Sequence, residues 1–255
     1  MSREASSDRR AASPPKAALR AAATLVVVRD APAGIEVLLL RRAQNGEDAF
    51  SGSWVFPGGV VEPRDGECRA VVGAGFDDAT ASARLGVEPG GRGNYIAALR
   101  ECFEESGLLF AAEVDGASTA STAAASRLAA MAARRGALHR GEARLQDVCR
   151  DCGLVLAVDC LVYFGHWLTP IGRRKRFDTR FFLAEAPPGQ AATADDAETV
   201  EQRWFAPAEA LAQSRELRLV TPTVKTLEAI ARFDTVPALF EWARAPRLIV
   251  PSMPH

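Results

Sequence analysis

The chain has 255 residues, 48% of them apolar and 25% charged, with a formal net charge of −1. That length suits one larger α/β domain whose core needs neither disulfides nor structural metal. The near-neutral balance excludes a protein that wraps long nucleic acid by charge alone, and the odd cysteine count excludes a simple disulfide frame.

Residues 1–20 are Ala/Ser/Arg-rich and lack the apolar core of a secretory signal, which predicts a disordered N-terminal tail before a single domain over 21–255. "ATLVVVRD" (23–30) and "IEVLLLRR" (35–42) predict two strands joined by the turn "APAG". "SWVFPGG" (53–59) is a third extended piece. Residues 66–97 are less regular and read as an insertion that loops out. "YIAALRECFEESGLLF" (95–110) is the clearest helix, with Leu99, Cys102 and Phe103 on one face, Gly107 as its C-terminal cap and a strand restarting at Leu108–Phe110. A second insertion (about 115–150) is Ala-rich and predicts a surface helix broken at Gly136 and Gly141.

The apolar run from Gly153 to Leu168 carries Asp159 and is shorter than the roughly 20 residues a spanning helix needs, so no membrane association is expected. Strands are predicted at 158–170, 179–187 and 199–207, the first two joined by the basic stretch "IGRRKRFD". Two helices then begin at prolines, "PAEALAQ" with Pro207 at its first position and "PTVKTLEAIARF" capped by Thr221. Hairpins mixed with helices indicate an α+β fold. The lone C-x-x-C pair, Cys149 and Cys152, reads as two reduced thiols, and Cys68, Cys102 and Cys160 as small core residues of a cytoplasmic protein.

The chemistry concentrates in "RECFEESGL" (100–108). Glu101, Glu104 and Glu105 stand three and four residues apart, and on a helix such positions share a face. Arg100 can pair with Glu104 but cannot neutralise three carboxylates. Crowded hard oxygen ligands suit Mg²⁺ or Mn²⁺.

"RECFEESGL" resembles the second half of the Nudix box, and "WVFPGG" followed by five residues and Asp65 resembles the first. Residues 66–99 occupy the space where the pattern has seven. An interrupted box of this kind is similar to the Nudix subgroup that includes peroxisomal coenzyme A diphosphatases and bacterial relatives. "IEVLLLRR" and "WLTPIGRRKRFDTRFFLA" (167–184) are similar to it as well. The resemblance implies an α/β/α sandwich with a mixed sheet and helical insertions. It implies hydrolysis of a small nucleotide conjugate, foremost coenzyme A or acyl-CoA to 3′,5′-ADP and 4′-phosphopantetheine. ADP-ribose, NADH or binding without catalysis are the alternatives.

By the same resemblance Glu101, Glu104, Glu105 and the carbonyl of Gly58 hold the metal, and Arg100 orients the carboxylates. Asp65, at a position whose Glu is mainly structural in the family, is left outside the metal set. Glu101, Glu105, Glu198 and Glu201 stay open as general base. Arg42, Arg176, Phe177 and Arg180 are the expected substrate contacts, with Phe177 stacking on adenine. Association into a homodimer stays open.

Overall fold

A computed structural model of the chain describes residues 18–44, 50–68, 76–113, 122–195 and 197–254. The tail expected over 1–20 lies outside these residues except at its end, where Leu19 and Arg20 already belong to a strand.

Strand β1 (Leu19–Ala31) turns through Pro32 into β2 (Gly34–Arg42) as an antiparallel hairpin, Val28 opposite Val37. Both are longer than the apolar runs alone predict, because β1 serves three neighbours at once. Ala22–Thr24 pair antiparallel with β4 (Gly58–Val60), and Leu19–Val28 pair parallel with the long β8 (Arg176–Glu185). The short β3 (Trp54–Val55) and β9 (Thr199–Phe205) flank β2, and β7 (Val162–Leu168) closes the other edge beside β8. Among the described residues this makes one seven-stranded mixed sheet, and a two-stranded ribbon of β5 (Ala111–Glu113) with β6 (Leu154–Leu156) stands apart.

Period-two alternation sorts the sheet into two faces. Ala23, Leu25, Val27, Leu38, Leu40, Phe182 and Ala184 face helix α3 (Gly91–Ser106) and the insertions. Val26, Val28, Val37, Leu39, Phe181 and Leu183 face α6 (Pro207–Ala212), α7 (Thr221–Ile230) and α8 (Val236–Arg244). Helices therefore cover both faces, and each face holds its own core. Thr221 is the first residue inside α7 rather than its cap, which is Val220. Helix α8, unforeseen in the sequence, starts at a Thr235 side chain that accepts the Ala238 N–H.

The described part of the first insertion, 66–68 and 76–97, does not loop out. A short helix α1 (Pro63–Gly66) and helix α2 (Asp78–Leu85) lie against α3, which itself starts at Gly91, a turn earlier than expected. The approach is close: a Cβ on Gly91 would sit 2.5 Å from Ser82 Cα. Ala81 and Leu85 join the core. The second insertion is not a surface appendage either. Helix α4 (Thr122–His139) continues through Gly136, and the break comes at Gly141 in a left-handed conformation. Met131 and Leu138 of α4 and Leu145, Val148 and Cys149 of α5 (Leu145–Asp151) are buried in the same core as α3. No helix among the described residues is long and apolar enough to cross a membrane.

Candidate active site

Helix α3 is buried nearly all round, not only along one apolar stripe. Tyr95, Leu99, Cys102 and Phe103 pack into the core, and Arg100, Glu104 and Glu105 are also buried. A helix with that many charges inside requires partners for each. Arg100 has four. Its Nε and Nη2 donate to the two carboxylate oxygens of Asp65 at 2.8 and 3.0 Å, and Nη2 also donates to the Val60 carbonyl at 3.0 Å. Its Nη1 stands 2.9 Å from Glu101 and 3.2 Å from Glu104. Asp65 in turn accepts the Glu62 N–H at 2.8 Å, so the turn after β4 is tied to the middle of α3.

The two glycines of β4 bring backbone against carboxylates. Gly58 N–H donates to Glu105 Oε2 at 2.9 Å. The contact recorded at Gly58 is thus its N–H on a carboxylate rather than its carbonyl. At Gly59 an added Cβ would lie 2.5 Å from Glu101 Cδ, and at Gly58 it would lie 2.8 Å from Thr24 Cα. Gly58 needs glycine because backbone occupies the space a side chain would take, whereas a side chain at Gly59 would displace the Glu101 carboxylate.

The charge on α3 is not balanced. Burial raises the Glu101 carboxyl to about 7, against the pull of Arg100. Burial likewise raises Glu104, and it raises Glu105 well above the ordinary carboxylate range, with the Glu101 charge adding to the effect. Arg42 stands 4.0 Å from Glu105, and the Glu198 charge acts on both Glu101 and Glu105. Glu104 Oε1 is buried with no hydrogen-bond partner among the described residues. Three carboxylates, a surplus of negative charge and one orphaned buried oxygen are what a hard divalent cation would satisfy. As they stand, Glu101 and Glu104 lean to Arg100 while Glu105 leans to Gly58, and among the described residues no three such side chains converge into a ready ligand cage. The donor chemistry, three carboxylates with one orphaned oxygen, fits such an ion.

The other expected residues divide by strand face. Arg42 lies on the carboxylate side, in line with Leu40. Arg176 and Arg180 also lie on that side but are buried. Arg176 donates to the Thr169 carbonyl, and Arg180 pairs with Asp178, which also meets His166 at 2.5 Å. The register Gly59–Ala23–Arg180 puts Arg180 two strands, about 10 Å, from the glycine that touches Glu101. Phe177 alternates to the opposite face, with Phe181, and cannot stack over the carboxylates from there. Glu201 is displaced for the same reason. It pairs with Arg41 at 3.0 Å on the far face, whereas Glu198, in the turn before β9, is exposed on the near side.

Residues that the sequence reading passed over hold the end of α3. Arg135 of α4 donates to the Glu104 carbonyl at 2.9 Å, and Thr199 Oγ1 donates to the Glu105 carbonyl at 3.1 Å. The only sequence signal was Gly107. It has φ of 72°, and a Cβ there would meet Thr193 Oγ1 at 3.0 Å and Arg135 Nη1 at 3.2 Å.

The NUDT19 Nudix domain model matches residues 76–230. The chain belongs to the NUDT19 Nudix family. The matched span runs from α2 through α7 and so contains α3, Glu198 and Arg135. Acyl-coenzyme A diphosphatase NUDT19 of Gallus gallus is 28% identical over 248 residues, covering 83% of this chain and 65% of that protein. The Homo sapiens protein of that name is 28% identical over 243 residues, covering 82% and 64%. The chain thus spans just under two thirds of the length of these curated relatives. A NUDIX hydrolase from Alicyclobacillus acidocaldarius superposes with a TM-score of 0.67 at 28% identity, covering 88% of this chain and 96% of that one.

Proposed function

We propose that this NUDT19-family chain is a metal-dependent diphosphatase acting on coenzyme A or acyl-CoA, releasing 3′,5′-ADP and the (acyl-)4′-phosphopantetheine. The observation that carries the reading is the under-neutralised trio Glu101, Glu104 and Glu105, with Glu105 held by the Gly58 N–H and Glu101 against Gly59. The curated relatives bear the name acyl-coenzyme A diphosphatase, and that name directs the choice of substrate.

Glu101, Glu104 and Glu105 would hold the ion, Mg²⁺ or Mn²⁺ by the all-oxygen donor set. When bound, it supplies charge neutralisation for the diphosphate and a lowered pKa for the attacking water. The chain's own residues do the rest. Arg100, fixed by Asp65, holds Glu101 and Glu104 on one side of the helix. Arg42 offers a partly exposed cation beside Glu105 for a phosphate oxygen. Glu198 accepts the proton of the water as it adds to one phosphorus and the bridging P–O bond breaks. The five cysteines are free, which supports a reducing compartment, the cytoplasm.

A panel of coenzyme A, acyl-CoAs, ADP-ribose, NADH and dinucleoside polyphosphates, read by product mass with Mg²⁺ or Mn²⁺, tests the reading. Expected is release of 3′,5′-ADP from the CoA compounds above all others. Activity surviving Glu104→Gln with Glu105→Gln would overturn the site, and preference for another conjugate would overturn the substrate.

A further inference from the structure

We infer that the Ala-rich insertion supplies a positioning residue, Arg135, which sets the loop bearing Glu198 against the end of the carboxylate helix. A helix leaves its last four carbonyls without partners inside it. In α3 these belong to Phe103, Glu104, Glu105 and Ser106. The Gly107 N–H takes the first at 2.9 Å. The other three are taken from outside: Glu104 by Arg135 Nε at 2.9 Å, Glu105 by Thr199 Oγ1 at 3.1 Å, and Ser106 by the Thr193 N–H at 2.8 Å. Thr193 and Thr199 bracket the turn that carries Glu198.

Arg135 joins the two partners of this joint. While Nε holds α3, Nη2 donates to the Thr193 carbonyl at 2.8 Å and Nη1 to Thr193 Oγ1 at 2.9 Å. A guanidinium has its donors in one rigid plane, so it sets the spacing between helix and loop in a way a lysine cannot. One turn further along α4, His139 Nδ1 lies 3.5 Å from Asp195 Oδ2. Asp195 organises the turn from within, accepting the N–H groups of Ala197, Glu198 and Thr199 at 3.1, 3.3 and 2.7 Å. From the other side, the Glu198 carbonyl accepts the Ala43 N–H at 2.8 Å, next to Arg42. The insertion therefore acts through the loop, on where Glu198 stands.

This inference rests on the proposed role of Glu198, and its test has an arm that does not. In amide hydrogen exchange on the full chain without metal or substrate, Arg135→Met should lower protection at Thr193 and at Ala197–Thr199 about tenfold or more. The β8 amides should be unchanged. Unchanged protection at the loop overturns the clamp. The second arm is a double-mutant cycle on kcat. Arg135→Met alone should lower kcat about ten- to hundredfold with KM within threefold, as for a catalytic group misplaced by about an ångström, and Arg135→Lys should recover part of it. Combined with Glu198→Gln, the loss should be no greater than that of Glu198→Gln alone. Additive losses, or a Glu198→Gln enzyme as active as the parent, overturn the route through Glu198. If no panel substrate is turned over, the exchange arm still decides the clamp, and only the functional reading falls.

Discussion

Arg100 and Asp65 meet in a buried two-point fork, thirty-five positions apart in the chain, at 2.8 and 3.0 Å. Both side chains are almost wholly out of solvent, at 4% and 2% exposure. Removing one member of such a pair leaves an uncompensated charge inside. Asp65→Asn is expected to cost about 3 kcal/mol of stability. It should also lower kcat, because Arg100 orients Glu101 and Glu104. Urea unfolding checks the first effect, and steady-state kinetics on the surviving folded enzyme checks the second.

Gly59→Ala tests the contact between β4 and α3. The new methyl would overlap the Glu101 carboxylate, which must swing aside. About a hundredfold loss in kcat is expected, together with weaker Mn²⁺ binding by calorimetry. Gly66→Ala serves as the control, since nothing lies within 4 Å of a Cβ there. Equal behaviour of the two variants would argue against the contact.

The carboxylates also predict an inverted pH response. Glu101 titrates near 7 when folded and near 4.5 as an unperturbed side chain. Between those values the native state keeps a proton that the unfolded chain has released, so this group's contribution to stability falls as pH rises. Metal-free protein should therefore lose up to about 3 kcal/mol from this source between pH 4.5 and 8. Glu101→Gln should remove that share of the dependence and leave the share of Glu104 and Glu105, and divalent metal should restore stability most at the alkaline end. Thermal unfolding across pH, with and without Mn²⁺, reads all three.

Glu198 and Glu201 are three residues apart but face different sides of the sheet. Glu198→Gln is expected to lower kcat about 10²- to 10⁴-fold, the range for loss of a general base. Glu201→Gln, which only frees Arg41, should stay within about twofold. Equal losses would sink the assignment of Glu198.

These contrasts also mark where the sequence could be read and where it could not. Glu101, Glu104 and Glu105 were visible because a helix repeat is local: three and four residues along the chain is one turn in space. The hairpin of β1 and β2, the cap at Gly107 and the start of α6 at Pro207 were equally local. Arg176 and Phe177 looked like one basic-aromatic group with Arg180 only while they were taken for a connection ahead of a strand at 179–187. Once β8 starts at Arg176, period two sends Phe177 to the other face. Glu201 needed the β2–β9 register for the same reason. Arg135 was hidden because an Ala-rich helix carries no pattern that says which of its charges points inward. Its partners among the described residues are backbone carbonyls and one threonine hydroxyl, and the carbonyls leave no trace in residue identity.

The fork between Arg100 and Asp65 has a bearing on how this chain came to carry its first insertion. Stretching the span inside the box from seven residues to the thirty-four of 66–99 adds only about 1.4 kcal/mol of loop-closure entropy. A buried bidentate ion pair that anchors both ends of the span can absorb a change of that size. The pair itself sets no length for the chain between its members, so long as Asp65 stands on α1 and Arg100 on α3 in register. What limits chain length there is packing rather than the pair: Ala81 and Leu85 of α2 are buried in the core and Gly91 meets Ser82, so a grafted tag or sensor peptide must spare α2 and α3.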